Sequence, residues 1–150
     1  QVSDVNYRAM KPDDPGNIQK LSEGNAPAYR LTDAETFNKA TVTIVGEEGD
    51  QEFPYSQLAM STSVEMKGLK VVDVYTTKNE ESASKGAMTL TCKVGNQYIS
   101  VRTVVLYDEN GNLVTEDAYM GKTIDVKGIV DFFSDSYQIK VYSTNSITVH

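Results

Sequence analysis

Hydrophobic and polar residues alternate along most of the chain after residue 63, and this alternation predicts β-strands. A period of two residues is typical of a strand that buries one face and exposes the other. The pattern predicts five principal strands, at residues 64–77, 88–94, 97–107, 123–131 and 136–143, and a short terminal strand at 146–149. The dipeptide Gly95-Asn96 predicts a tight hairpin between the second and the third strand.

The phase of the alternation also predicts which side chains are buried. In the second and third strands the inward set is Met88, Leu90, Cys92, Val94, Ile99, Val101 and Val105. In the fourth strand, Gly128 has the same phase as Ile124, Val126 and Val130, and a missing side chain there would let the strand coil tightly. Gly68 interrupts the first strand and predicts a bend or a bulge.

The chain before residue 64 follows a different pattern. Residues 1–27 contain two proline-bearing clusters and predict a linker and a loop. Residues 32–39 predict a short helix capped by Thr32 or Asp33, and residues 40–45 predict a strand that is followed by a turn at 46–50.

A faint internal likeness connects this part with the last hairpin. Phe37 aligns with Tyr119, and Gly46 aligns with Gly128 at the same spacing without a gap. A partial duplication and a chance likeness between β-rich segments both explain it. We therefore divide the chain into residues 1–63, a linker with a short β unit, and residues 64–150, the main domain.

Five strands with alternating faces predict a mostly β protein whose main domain is a small antiparallel barrel or sandwich rather than an α/β fold. The segment YMGKTIDVKGIVDFFSDSYQIKV at residues 119–141 carries a Gly-Lys start, a coiled strand, an aromatic turn and a Tyr-Gln-Ile strand. It resembles the closing hairpin of OB-fold modules in secreted and lipid-anchored proteins of Bacteroidetes. The resemblance covers residues 64–150, is densest over 119–141, and implies that the main domain is an OB-like, five-stranded Greek-key barrel. It implies nucleic-acid-binding-like modules of mostly unknown function, and it carries no catalytic residues.

The charge of the chain disfavours strong nonspecific binding to nucleic acid. There are 14 basic and 21 acidic residues, which give a net charge of −7, whereas proteins that hold a phosphate backbone usually present a basic surface. Residues 1–63 carry ten acids and five bases, so most of the excess lies outside the barrel. A local cationic site on the barrel is compatible with these numbers.

Residue types that support catalysis are scarce, and the sequence predicts that the protein is not an enzyme. The single cysteine, Cys92, has the phase of a buried strand residue, and the single histidine is the last residue, His150. No phosphate loop, nucleophile elbow or His/Cys metal cluster occurs, so no cofactor and no metal are predicted. The acidic turn at 108–112 resembles part of a calcium loop, but a hairpin turn is the favoured interpretation.

The candidate binding residues follow from the usual OB binding face, which is the outer surface of strands 2 and 3 between two loops. Their phase places Lys93, Tyr98 and Arg102 on that outer face, and Phe132, Phe133 and Tyr137 lie in or beside the loop between strands 4 and 5. Tyrosine beside lysine and arginine can stack a base or a sugar ring and meet a phosphate. The alternative is an ordinary polar sheet face with aromatic residues that plug one end of the barrel.

Three functions are compatible with these observations. The leading hypothesis is a noncatalytic binding or structural module of an exported, envelope-associated protein, whose partner is an unknown protein or a glycan. The alternative is a binder of single-stranded nucleic acid or oligosaccharide on the face of strands 2 and 3, and the third is a hydrolase that uses paired carboxylates. No transmembrane segment is predicted.

The beginning of the chain bears on where the protein works. The polar segment after Gln1 fits a periplasmic or cell-surface protein whose signal or lipid-attachment segment has been removed, although an artificial truncation would look the same. The sequence leaves the oligomeric state and the identity of the ligand open.

Overall fold

The computed structural model describes residues 21–150, so residues 1–20 of the predicted linker and loop (residues 1–27) lie outside the described residues. The strands are β1 (Arg30–Leu31), β2 (Thr41–Ile44), β3 (Gln51–Pro54), β4 (Ser63–Thr76), β5 (Met88–Val94), β6 (Gln97–Thr103), β7 (Thr123–Phe133), β8 (Ser136–Val141) and β9 (Ile147–Val149). Two short α-helices, α1 (Ala34–Lys39) and α2 (Tyr55–Leu58), and two 3₁₀ turns, Glu116–Ala118 and Thr144–Ser146, complete the fold.

Five of these strands form a closed barrel, which confirms the predicted fold class. The strands follow one another around the barrel in the order β4-β5-β6-β8-β7, and β7 pairs again with β4 to close it. The pairing of β6 with β8 is parallel, while the other four pairings are antiparallel. β1 and β9 extend the sheet, and β2 and β3 form a separate two-stranded sheet.

The barrel interior is filled by the residues that the alternation predicted. Of the predicted inward set, Met88, Leu90, Cys92, Ile99 and Val101 are buried, whereas Val94 and Val105 are only half-buried. The predicted third strand ends at Thr103 rather than at residue 107, because its neighbour β8 ends at Val141, the partner of Thr103. Beyond that point no strand continues the pairing on that side.

The segment before β4 shares the core of the barrel. The side chains of Ala34 and Phe37 in α1, and of Ala59 after α2, belong to the same buried cluster as the barrel strands. The predicted helix is confirmed, and Asp33 is its cap: the carboxylate accepts a hydrogen bond from the backbone N–H of Thr36 at 2.8 Å. This helix contacts β6.

The β2–β3 hairpin does not have its turn where the internal likeness would place it. Its turn lies between Ile44 and Gln51, and the aligned positions in the last hairpin fall inside β7 rather than in the turn between β7 and β8. The proposed duplication stays a prediction about ancestry.

Gly128 permits the close approach of β7 to β8. A Cβ atom at this position would lie 2.5 Å from the backbone oxygen of Lys140 and 2.6 Å from Cγ2 of Ile139. Backbone cannot retreat from such a contact as the end of a flexible side chain can. We therefore expect Gly128→Ala to lower the free energy of unfolding by about 3 kcal/mol or to prevent folding. Urea denaturation monitored by circular dichroism measures the loss, and Thr148→Ala, at an exposed strand position, should change stability by less than about 0.5 kcal/mol. A wild-type midpoint for Gly128→Ala would contradict this account.

Asp125 fixes the bulge at Gly68 by accepting a hydrogen bond from its backbone N–H at 2.8 Å. That bond, followed by His150 and Lys67, lowers the pKa of Asp125 below its ordinary value of 3.8. A carboxyl whose pKa is lower in the folded state contributes stability above its unfolded pKa and loses it as the pH falls through its folded pKa.

We therefore expect Asp125→Asn to reduce the loss of stability of the wild type between about pH 5 and about pH 3, by about 1 kcal/mol at most because the group is partly exposed. Urea midpoints measured across this range test it. Asp73→Asn, which removes an exposed carboxylate from the strand that contains Gly68, is the control. Equal pH dependence in wild type and Asp125→Asn would contradict the prediction.

Candidate functional site

The outer face of β5, β6 and β8 forms the floor of a groove with a cavity volume of about 920 Å³. Register brings its polar side chains together. Arg102 in the middle strand, β6, pairs with Thr89 in β5 on one side and with Lys140 in β8 on the other. Since paired residues in a sheet point to the same face, the two cations lie side by side on the floor.

Two threonine hydroxyls hold the guanidinium of Arg102. Its Nη1 donates to Oγ1 of Thr89 at 3.0 Å, and its Nη2 donates to Oγ1 of Thr77 at 3.1 Å. Within residues 21–150, the ion pairs of the structure include neither Arg102 nor Lys140. The guanidinium is therefore oriented by neutral groups, and three of its five N–H donors remain for a ligand.

Aromatic side chains stand at the margins of the groove. Tyr75 on β4 and Phe133 at the end of β7 both line it, and they are 61% and 70% exposed. The loop between β4 and β5 contributes Ser82 and Ser84 to one wall, and the turn between β7 and β8 contributes to the groove through Ser134. Exposed aromatic rings beside a cationic floor suit a ligand that has both flat rings and negative charge.

The groove also contains one carboxylate, and a neighbouring amide engages it. Nε2 of Gln138 donates to Oδ2 of Asp131 at 2.9 Å. Gln138 lies on the outer face of β8 by strand phase, yet it is buried within the groove, where it contacts Asp131. Asp131 and Gln138 thus provide a polar pair next to the two cations, which can hydrogen-bond the hydroxyl groups of a ligand.

The structure distributes the six sequence-predicted residues over three places. Arg102 and Phe133 line the groove. The Nζ of Lys93 lies 5.6 Å from the ring centre of Tyr98, at the β5–β6 hairpin end of the same outer face. The rings of Phe132 and Tyr137 contact each other with centres 4.9 Å apart.

A smaller cavity of about 340 Å³ lies at the β5–β6 hairpin end of the barrel. Its lining includes Tyr98, Tyr137 and Phe37 of α1. Nδ2 of Asn38 donates to the backbone oxygen of Tyr98 at 3.0 Å. Helix α1 therefore packs against the place where sequence reasoning expected an open binding face. The sequence could not indicate this, because α1 lies in the segment that was assigned to a separate unit.

Sequence reasoning did not assign Tyr75, Thr77, Asp131, Gln138 and Lys140 to a site. Strand phase predicts that Lys140 points outward, but only the pairing of β8 with β6 places it beside Arg102. Tyr75 of β4 pairs with Thr89 of β5. A predicted register between these two strands would have placed Tyr75 beside the floor of the groove. Thr77 follows the end of β4 and carries no pattern that would have singled it out.

The Cys92 thiol and the possible metal ligands were compared with what nucleophilic and metal sites require. Burial raises the pKa of the Cys92 thiol to about 12, which keeps it protonated at neutral pH. Between residues 21 and 150, no group of three or more His, Cys, Asp or Glu side chains is arranged to hold a metal ion.

The acidic segment at 108–112 forms the predicted turn. Oδ1 of Asp108 accepts hydrogen bonds from the backbone N–H groups of Asn110 and Asn112, and residues Tyr107 and Leu113 bridge across it. The backbone N–H of Asn112 is the main cause of the lowered pKa of Asp108. The carboxylate is engaged by its own loop.

Comparisons with known proteins leave the family open. No protein-family model matches the chain, and no curated protein matches it in sequence. No helix within residues 21–150 has the length and apolar character that a membrane crossing requires.

The turn that presents Phe133 is strained. Ser134 and Asp135 both have positive φ angles, 50° and 60°, as a tight turn between twisted strands requires. Side chains in this conformation cost about 1 kcal/mol per residue, and glycine removes the cost. Natural hairpins usually place asparagine or glycine here, so this turn holds its shape at the expense of stability.

We expect Asp135→Gly to raise the free energy of unfolding by about 1 kcal/mol, because glycine adopts the positive φ without steric cost. Asp135→Ala is the matched control: it removes the same carboxylate but keeps the steric cost, and it should not stabilise. Urea denaturation of the three proteins at one pH measures the difference. A lower stability of Asp135→Gly than of Asp135→Ala would contradict the assignment of strain.

Proposed function

We propose that the chain is a noncatalytic binding module, and that the groove over β5, β6 and β8 is its binding surface. One observation carries the proposal: an arginine that two hydroxyls orient, beside a lysine, faces a groove without an ion-pair partner in the described residues. Such a guanidinium is ready to bind an anionic group in a bidentate manner.

The ligand that fits best is an extended, negatively charged chain of ring-bearing units. The groove extends from the β4–β5 loop to the β7–β8 turn. Tyr75 and Phe133 line it, and the rings of a ligand can stack on their side chains. Single-stranded nucleic acid and acidic oligosaccharide share this chemistry. The net charge of −7 argues that binding depends on this local site rather than on the overall field of the protein.

The noncatalytic character is supported by the groups that line the groove. The lining contains neither the cysteine nor the histidine of the chain, and its one carboxylate is bonded to Gln138. General acid–base catalysis would need a second group poised to exchange a proton. Export to the cell envelope stays a prediction, which fractionation of the source cells would test.

The proposal is tested by fluorescence anisotropy with labelled single-stranded DNA, RNA and acidic oligosaccharides at low and at near-physiological salt. We expect Arg102→Gln to weaken binding about tenfold to a hundredfold, because an oriented ionic contact is worth about 1–3 kcal/mol. Lys127→Gln, which removes one positive charge from a residue outside the groove, is the matched control and should bind nearly as the wild type does.

A second pair of variants tests the aromatic margin with the same probes. Phe133→Ala should weaken binding, whereas Phe132→Ala, which removes a ring that contacts Tyr137, should change it less. Preference for one class of oligomer would identify the ligand chemistry. If neither class binds at low salt, where electrostatic attraction is strongest, the groove is not a site for anionic oligomers and the proposal fails.

A further inference from the structure

The hairpin of β2 and β3 stands apart from the barrel and has one unprotected edge. The two strands pair only with each other in the part of the chain that the structure describes, and all four residues of β2 are exposed. An isolated two-stranded sheet is marginally stable in water, and its free backbone groups can pair with another strand.

The two edges of this hairpin differ in composition. Strand β3 contains Glu52 and Pro54, and charge and proline both discourage pairing with a further strand. Strand β2 reads Thr-Val-Thr-Ile and continues with Val45, so it has no charge, proline or glycine. Its aliphatic side chains are strongly exposed: Val42 is 37%, Ile44 47% and Val45 80% accessible.

We propose that the edge of β2 pairs antiparallel with β2 of a second copy of this chain, which makes a four-stranded sheet across a two-fold axis. Such an interface is isologous, so one strand supplies both halves. In the register centred on Thr43, Val42 lies opposite Ile44 of the second copy, and Thr43 lies opposite its own equivalent. Paired residues then point to the same face, as a pleated sheet requires.

The charges at the two ends of β2 favour this register. The turn after β2 carries Glu47 and Glu48. At the other end, Lys39 in the last turn of α1 lies two residues before the first residue of β2, and it also pairs with the exposed Glu35 at 3.6 Å. An antiparallel arrangement centred on Thr43 brings the acidic turn of one copy towards the end of β2 that follows Lys39 in the other copy. A parallel arrangement would instead place the two acidic turns together, which repulsion disfavours.

Disulfide trapping of the full chain tests the register. Thr43→Cys places one thiol opposite its equivalent at the two-fold axis, within reach of a disulfide. Thr41→Cys and Gln51→Cys are the matched controls: the first is displaced along the same strand, and the second lies on the protected β3. The native cysteine, Cys92, is fully buried and does not interfere.

We expect a disulfide-linked dimer for Thr43→Cys and much less for either control. Equal dimer yields from all three variants would mean random collision and would overturn the proposal. Absence of a dimer for Thr43→Cys would overturn it as well.

Sedimentation equilibrium of the unmodified chain provides the second measurement, over an about hundredfold range of concentration. We expect a mass that rises with concentration towards that of a dimer, and a monomer mass at all concentrations for Thr43→Lys, which brings two positive charges together at the axis. In the monomer this lysine lies beside Glu52, so the variant should fold, which circular dichroism checks. A constant monomer mass for the wild type, or association that Thr43→Lys leaves unchanged, would overturn the proposal.

Discussion

The closure of β4 onto β7 is the constraint on which the other features of this protein depend. One 14-residue strand pairs with β7 through its first half and with β5 through its second half. To do so it must bend, and the bend occurs at Gly68, whose φ of 69° lets the register shift between Met66 and Leu69. Asp125, which reaches across from β7 to the N–H of Gly68, holds the bulge in place. Further along β7, Gly128 pairs with Val64 of β4 and lets β7 approach β8 closely.

The groove is a consequence of this closure. Closing the five strands into one barrel puts β6 between β5 and β8, and that arrangement sets Arg102 next to Thr89 on one side and Lys140 on the other. The two connections that border this face, the β4–β5 loop and the β7–β8 turn, then become its walls. The polar floor is thus formed by the consecutive strands β5 and β6 together with β8, which is distant from them in sequence.

Most of the fold could be predicted from the sequence because burial of one strand face imposes a simple alternation. The positions of β5 and β7, and the burial of Leu90, Val126 and Gly128, follow directly from it. The site was harder to predict, since alternation says which way a side chain points but not which strands are neighbours. Lys140 joins Arg102 only through the parallel pairing of β6 with β8, which connects strands far apart in the chain.

The role of the N-terminal segment could not be predicted for a related reason. The cap at Thr32 or Asp33 predicts a helix over residues 32–39, but the only buried side chains of α1 are those of Ala34 and Phe37. So few apolar residues do not indicate where a helix packs. In the structure Phe37 enters the common core near the β5–β6 hairpin end, and the face that the barrel alone would leave open there is partly occupied.

The strand edges of the barrel are paired, whereas the hairpin of β2 and β3, in the segment before β4, has free edges. In the closed barrel every strand has a paired neighbour on each side, β1 and β9 add to its sheet, and α1 contacts β6. The hairpin follows α1 directly, and only α2 connects it to β4, so no barrel strand reaches its free edges. Strand β3 compensates with a charge and a proline, whereas β2 keeps an uncharged, β-branched edge. An exposed edge of that composition, beside a barrel whose strands are paired on both sides, is better explained by a partner strand than by solvent alone.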